Sequence, residues 1–224
     1  GINNVIMTAR AAGIGSQLDN FPSLALGACA VTPLEMSTAY ATLARGGIYM
    51  APQVLTKISY ENGQEYKIYR STPSANLSSE SVAQLVDVMQ DVVKHGTGVK
   101  ARLPGIAVAG KTGTADQGKD LWFVGFTPDT VTAVWGGNDQ NKPVGGGMSV
   151  TGGVVMAGIW HQFMTAYYQT HKPPVGLAFV PPSETLIAGL PKLDERPLLA
   201  DQFGGLMVSE ANSAGMRNVY VPAE

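Results

Sequence analysis

Gly105-Ile106-Ala107-Val108-Ala109-Gly110-Lys111-Thr112-Gly113-Thr114 is the most informative run in the chain, because two incompatible patterns overlap in it. Its first eight residues satisfy G-x-x-x-x-G-K-[ST], the pattern of a phosphate-cradling loop. That loop works only where a buried strand precedes it and a helix begins at the lysine, so that backbone N–H groups converge on phosphate. Neither context is present. Lys100 to Pro104 form no buried strand, the residues between the glycines are themselves strand-like, and Gly113, Asp116, Gln117 and Gly118 follow where a helix should start. The run reads instead as a strand from Ile106 to Ala115. Leu121 to Phe126 and Val131 to Gly136 continue it as an antiparallel meander, with Pro128-Asp129 as a turn.

Working outward, helices surround this meander. Asn3 to Ala12 has helical spacing, with Gly13 as its stop. Thr32-Pro33-Leu34-Glu35 is a capping box with proline at the first helical position, opening a helix to about Arg45 that Gly46-Gly47 ends. Gln53 to Tyr60 alternates as a strand, Asn62-Gly63 marks a hairpin, and Tyr66 to Tyr69 returns antiparallel. Ser78 to Ser81 starts a helix with an apolar face of Val82, Leu85, Val86, Met89, Val92 and Val93, ended by Gly96-Thr97-Gly98. Thr151 to Tyr168 is a last long helix, and the Pro-containing tail beyond it has no clean period. This order predicts an α+β fold with an antiparallel sheet flanked by helices, not a doubly wound parallel one.

Composition removes several function classes. The 224 residues suffice for one domain, and 45% hydrophobic content is that of a globular protein rather than a disordered one. A net charge of −2 and the lack of basic runs interleaved with aromatics leave no footprint for nucleic acid. One cysteine, Cys29, excludes an internal disulfide and a cysteine-based zinc site; its apolar setting suits a buried thiol. The most apolar long segment, Met148 to Met164, is too short and too polar to span a membrane. No cofactor is indicated.

The chemistry of Lys111-Thr112-Gly113-Thr114 suits a ligand with a free carboxylate. Side chains alternate along a strand, so Thr112 and Thr114 share a face and can both donate hydroxyls to a carboxylate. Lys111, on the other side, raises the local positive potential. Gly113 adds no side chain, which lets a peptide lie against the strand as an added strand. The backbone N–H of Thr114 suits one of two oxyanion contacts, a type worth about 3–4 kcal/mol. Alone, however, such a triplet is most often only a half-exposed strand.

Its surroundings single it out. Pro22-Ser23-Leu24-Ala25-Leu26-Gly27, then Val31-Thr32-Pro33-Leu34-Glu35-Met36 and Ala39-Tyr40-Ala41, closely resemble a helical segment of the penicillin-binding protein transpeptidase domain. Lys111 to Thr114 with Asp120 and Trp122-Phe123-Val124-Gly125-Phe126-Thr127-Pro128 resemble its third motif and the strand after it. Trp135-Gly136-Gly137-Asn138-Asp139 and Thr151-Gly152-Gly153 match the next strand and the final helix. The resemblance runs from Gly1 to about Tyr168 and is strongest to the class A, bifunctional branch. It implies the penicillin-binding protein/β-lactamase-like fold. It also implies serine acyl transfer from D-Ala-D-Ala stem peptides of peptidoglycan, β-lactams as substrate mimics, and a place on the outer, periplasmic face of the bacterial cytoplasmic membrane. By that resemblance, Lys111 is the catalytic support and Thr112, Gly113 and Thr114 bind substrate.

The departures matter equally. No serine here has a lysine three residues later, and the family's nucleophile and S-x-N motifs precede the part that starts at Gly1. The expectation is therefore a partial domain: residues 1–172 its carboxy-terminal portion, residues 173–224 a tail, and the nucleophile, first strands and membrane anchor upstream. Such a piece is expected to be inactive alone. Ser74-Ala75-Asn76 spells S-x-N in the wrong place and reads as turn and pre-cap residues. A carboxypeptidase or β-lactamase, or a non-catalytic peptidoglycan- or β-lactam-binding module, are the alternative readings.

Other polar residues read as structural. His95, His161 and His171 share no metal spacing. Asp116 and Asp120 read as turn residues rather than an acid/base pair. Trp122, Phe123 and Trp135 read as core, with Trp122 also placed to line a cleft. Gly145-Gly146-Gly147 and Gly152-Gly153 flank a helix start and read as a flexible connection rather than an anion site.

Overall fold

The computed structural model describes residues 1–68, 71–140, 142–144, 150–173, 176 and 178–183, together with the strands 205–212 and 215–222. Two compact units divide the chain, Gly1–Pro182 and Ser183–Glu224. In the second, Gly205–Asn212 pairs antiparallel with Gly215–Pro222, although the sequence shows no clean period there. The Gly145 to Gly147 run and Tyr69 lie outside the described residues.

In the first unit, α1 (Ile2–Ala12) ends at Gly13, whose φ of 114° is open to glycine at little cost. A short 3-10 turn, Pro22–Leu26, follows, with proline at its first position. Helix α2 (Pro33–Ala44) opens on the predicted capping box: Thr32 accepts from the Glu35 N–H while Glu35 reaches back to the Thr32 N–H. Strand β1 (Ile48–Tyr49) pairs with β4 (Ser74–Ala75), so Ser74 forms a short ladder rather than an open turn. Between them β2 (Lys57–Ser59) and β3 (Glu65–Lys67) form the Asn62-Gly63 hairpin. These strands are shorter than the alternation suggests, because they have little to bury against among the described residues: all six of their residues are exposed.

Helix α3 (Ser79–Lys94) is capped by the Ser78 hydroxyl and buries Val82, Val86, Met89 and Val93. Leu85, expected on that face, is exposed, as it sits at the rim of the stripe. The central sheet has the order β5–β6–β7, from β5 (Ala109–Thr114), β6 (Asp120–Phe126) and β7 (Val131–Gly137). Both ladders are antiparallel, with Thr112 opposite Phe123 and Trp122 opposite Trp135. A wide π-type turn, Gly152–Met156, leads into α4 (Ala157–Thr170).

Three layers result. One face of the sheet, carrying Leu121 and Phe123, packs with Met156, Trp160 and Met164. Phe123 and Trp160 meet edge to face with centroids 5.5 Å apart, and the indole N–H donates to Gly125 O and Thr132 O. That satisfies the one polar atom of the largest buried side chain. The other face, with Ala109 and Phe126, packs on Val82, Val86, Met89 and Tyr40 of α3 and α2. Tyr40 meets Phe126 edge to face at 5.9 Å, and burial pushes its hydroxyl pKa up to about 12.

A candidate active site on the edge strand

Lys111, Thr112, Gly113 and Thr114 all lie on β5, at the edge of the central sheet. The Ala115 N–H donates to Asp120 O. Hydrogen-bonded and non-bonded pairs alternate along an antiparallel ladder, so the next bonded residues are Gly113 and Lys111. The backbone N–H and C=O of Thr112 and Thr114 therefore face the edge away from β6. This is the geometry an added strand or an oxyanion contact needs.

The register also sorts the side chains. Thr112 and Thr114 share the face of Phe123 and Leu121, whereas Lys111 and Gly113 share that of Val124 and Trp122. Lys111 is exposed, and its ammonium donates to Thr112 O at 2.9 Å, beside the motif's free edge. Gly113 lies against Trp122, where an added Cβ would stand 3.1 Å from the tryptophan Cβ.

Both threonine hydroxyls are held from behind. The Thr112 Oγ1 lies 2.7 Å from the Thr97 Oγ1. The Gly152 N–H donates to Thr114 Oγ1 at 3.1 Å. Two glycines make that approach possible: a Cβ on Gly152 would sit 2.4 Å from Gly113 O, and one on Gly153 would sit 2.3 Å from Thr97 O. From sequence, Gly96-Thr97-Gly98 reads as a helix stop and Gly152-Gly153 as a flexible connection at a helix start. A threonine between two glycines, and a glycine pair behind a capping threonine, were the available signals.

The other candidates separate from this strand. The helix start that a phosphate loop needs at Lys111 is absent, since the strand runs through it. His161 Nδ1 lies 2.7 Å from Arg102 O, His95 stands 3.8 Å from Asp91, and His171 stacks on Tyr167 at 4.3 Å. Asp120 accepts from the Trp135 indole N–H at 2.9 Å, which gives it a structural partner; the Asp116 side chain lies outside the described part. Phe123 is fully buried, but Trp122 is half-buried and Trp135 exposed, so only one of the three aromatics is true core. Cys29 is half-buried and its sulfur accepts from the Asp19 N–H. Asn76 donates to Ala11 O, a structural tie between the β1–β4 ladder and α1.

Comparison with known proteins decides the family. The model of the penicillin binding protein transpeptidase domain matches residues 10–164. The chain belongs to that transpeptidase family. Its relatives are of the class A kind. Penicillin-binding protein 1A of Aquifex aeolicus is 40% identical over 150 residues, covering 66% of this chain and 20% of that protein. Penicillin-binding protein 1B of Escherichia coli is 32% identical over 178 residues, 78% of this chain and 20% of the relative. The chain thus spans about a fifth of the length of these relatives. Among solved structures, the penicillin-binding protein PonA1 from Mycobacterium tuberculosis superimposes with a TM-score of 0.73 at 26% identity, covering 82% of this chain and 53% of that one. The same protein in complex with penicillin V gives 0.70 at 28% identity, covering 82% and 54%. The transpeptidase match includes α2, α3 and the whole β5–β7 sheet, and so contains the edge strand and both residues behind it. Among the described residues no helix is long and apolar enough to cross a membrane.

Proposed function

We propose that this chain forms the substrate-binding side of a serine-type peptidoglycan D,D-transpeptidase. The observation that carries the reading is the edge strand. Thr112 and Thr114 present hydroxyls from one face and backbone N–H groups toward the free edge, with the Lys111 ammonium beside them. In this reading the terminal carboxylate of a D-Ala-D-Ala stem peptide accepts from both hydroxyls. The peptide backbone adds to β5, and the Thr114 N–H supports the oxyanion as the carbonyl becomes tetrahedral. Lys111 supplies positive potential. The serine that attacks the peptide, releasing the last D-Ala and passing the acyl group to an amine, is contributed by sequence outside this chain. The site works on the outer face of the cytoplasmic membrane, with the anchor also outside this chain, and β-lactams occupy it as mimics of the peptide.

Calorimetric titration of the chain with an acyl-D-Ala-D-Ala peptide, as free carboxylate and as carboxy-terminal amide, tests this. The carboxylate form binds more tightly, and Thr112→Val and Thr114→Val each remove most of that preference. Equal binding of the two peptides by the unaltered chain would refute the carboxylate reading.

A further inference from the structure

Hydroxyl protons are a limited resource in this site, and the neighbours of the two threonine oxygens bear on where those protons point. An ionised carboxylate only accepts hydrogen bonds, so each threonine that recognises it must donate its single proton to it. That donation is strongest when the same oxygen accepts a bond from elsewhere, because chains of hydrogen bonds polarise one another. Thr114 has such a donor in the Gly152 N–H, which carries no alternative polarity: it can only donate. Thr112 has a hydroxyl neighbour, the Thr97 Oγ1 at 2.7 Å, which can give or take a proton.

We infer that Thr97 is a positioning residue of the site, donating its hydroxyl proton to Thr112 Oγ1 so that the Thr112 proton is turned outward to the ligand carboxylate. Thr97 is well placed for this. It sits in the Gly96-Thr97-Gly98 loop that leaves α3, and Gly98 N–H donates back to Val92 O, fixing the loop to the helix end. Its carbonyl lies against Gly153, in the turn that also presents the Gly152 N–H. The loop after α3 and the turn before α4 thus approach β5 from the same face and supply one donor to each threonine. Nothing is gained for folding by an exposed hydroxyl pair of this kind beyond the small net value of such bonds. Its directional effect on a carboxylate is specific.

This inference rests on the carboxylate reading above, and the test separates the two. Thr97→Val keeps shape and removes the proton, while Thr97→Ser keeps the proton. Both are titrated with the acyl-D-Ala-D-Ala peptide and with its amide. The expected result is that Thr97→Val weakens the carboxylate peptide roughly threefold to tenfold, leaves the amide unchanged, and is matched by no loss in Thr97→Ser. An equal loss for both peptides would mark Thr97 as merely structural and overturn the inference, as would unchanged carboxylate binding in Thr97→Val. If the unaltered chain itself shows no preference for the carboxylate, the underlying reading fails whatever Thr97 does, and the inference goes with it.

Discussion

The Gly152 N–H donates to the Thr114 hydroxyl oxygen across 3.1 Å, joining the turn before the last helix to the motif strand. The contact requires that Gly152 have no side chain, since a Cβ there would stand 2.3 Å from Trp122 O and 2.4 Å from Gly113 O. Both obstacles are backbone of the central sheet, which cannot swing aside as a side chain can.

Gly152→Ala is therefore expected to destabilise the chain by about 1–3 kcal/mol, the usual cost of forcing extra volume into a packed site, and to lower affinity for a carboxylate peptide. Urea melts read the first effect and calorimetry the second. An unchanged melt would show that the turn and the sheet are not in the close contact described.

Phe123→Ala removes a fully buried ring between Trp160 and the sheet. The expected loss is about 3–5 kcal/mol of stability, measured as a shift in urea midpoint at constant slope. Trp135→Ala, at a ring that is 45% exposed, is expected to cost markedly less.

Glu35 accepts from the Thr32 N–H, from the Ser16 and Thr32 hydroxyls and from the Ser16 N–H, which hold its carboxyl pKa at about 2, well below its ordinary 4.5. The folded state therefore binds this proton less readily than the unfolded one. The stabilisation is present above pH 4.5 and is lost as pH falls toward about 2. Glu35→Gln is expected to be less stable at neutral pH and to flatten the acid limb of a stability-against-pH curve. A parallel curve for the variant would contradict the assignment.

Lys111→Ala is expected to weaken the carboxylate peptide about twofold to fivefold, in line with an exposed charge contact, and to reduce the salt dependence of binding. Titrations at low and high salt check both. A salt slope equal to that of the unaltered chain would remove Lys111 from the site's electrostatics.

Much of this was legible in the residues. The capping box at Thr32, the Asn62-Gly63 hairpin and the three-strand meander are local signals, and each appears where its chemistry places it. The four motif residues are consecutive on one strand, so the sharing of one face by Thr112 and Thr114 followed from alternation alone. What escaped was non-local. Thr97 and Thr112 are fifteen residues apart and Gly152 and Thr114 thirty-eight, and no periodicity reports a contact between loops. Alternation overstates strand length for the same reason: Gln53 to Tyr60 alternates, but alternation without a surface to bury against yields only the short Lys57–Ser59 strand. The wide turn at Gly152–Met156 likewise comes from packing on the sheet, not from helical spacing.

The central claim is that this chain carries the binding strand of a serine transpeptidase and not the serine that is acylated. Intact-mass spectrometry of the 23.5 kDa chain after incubation with a penicillin tests it most directly. The account predicts an unchanged mass. A stoichiometric penicilloyl adduct on one of its serines would contradict it, and the modified position would identify the nucleophile.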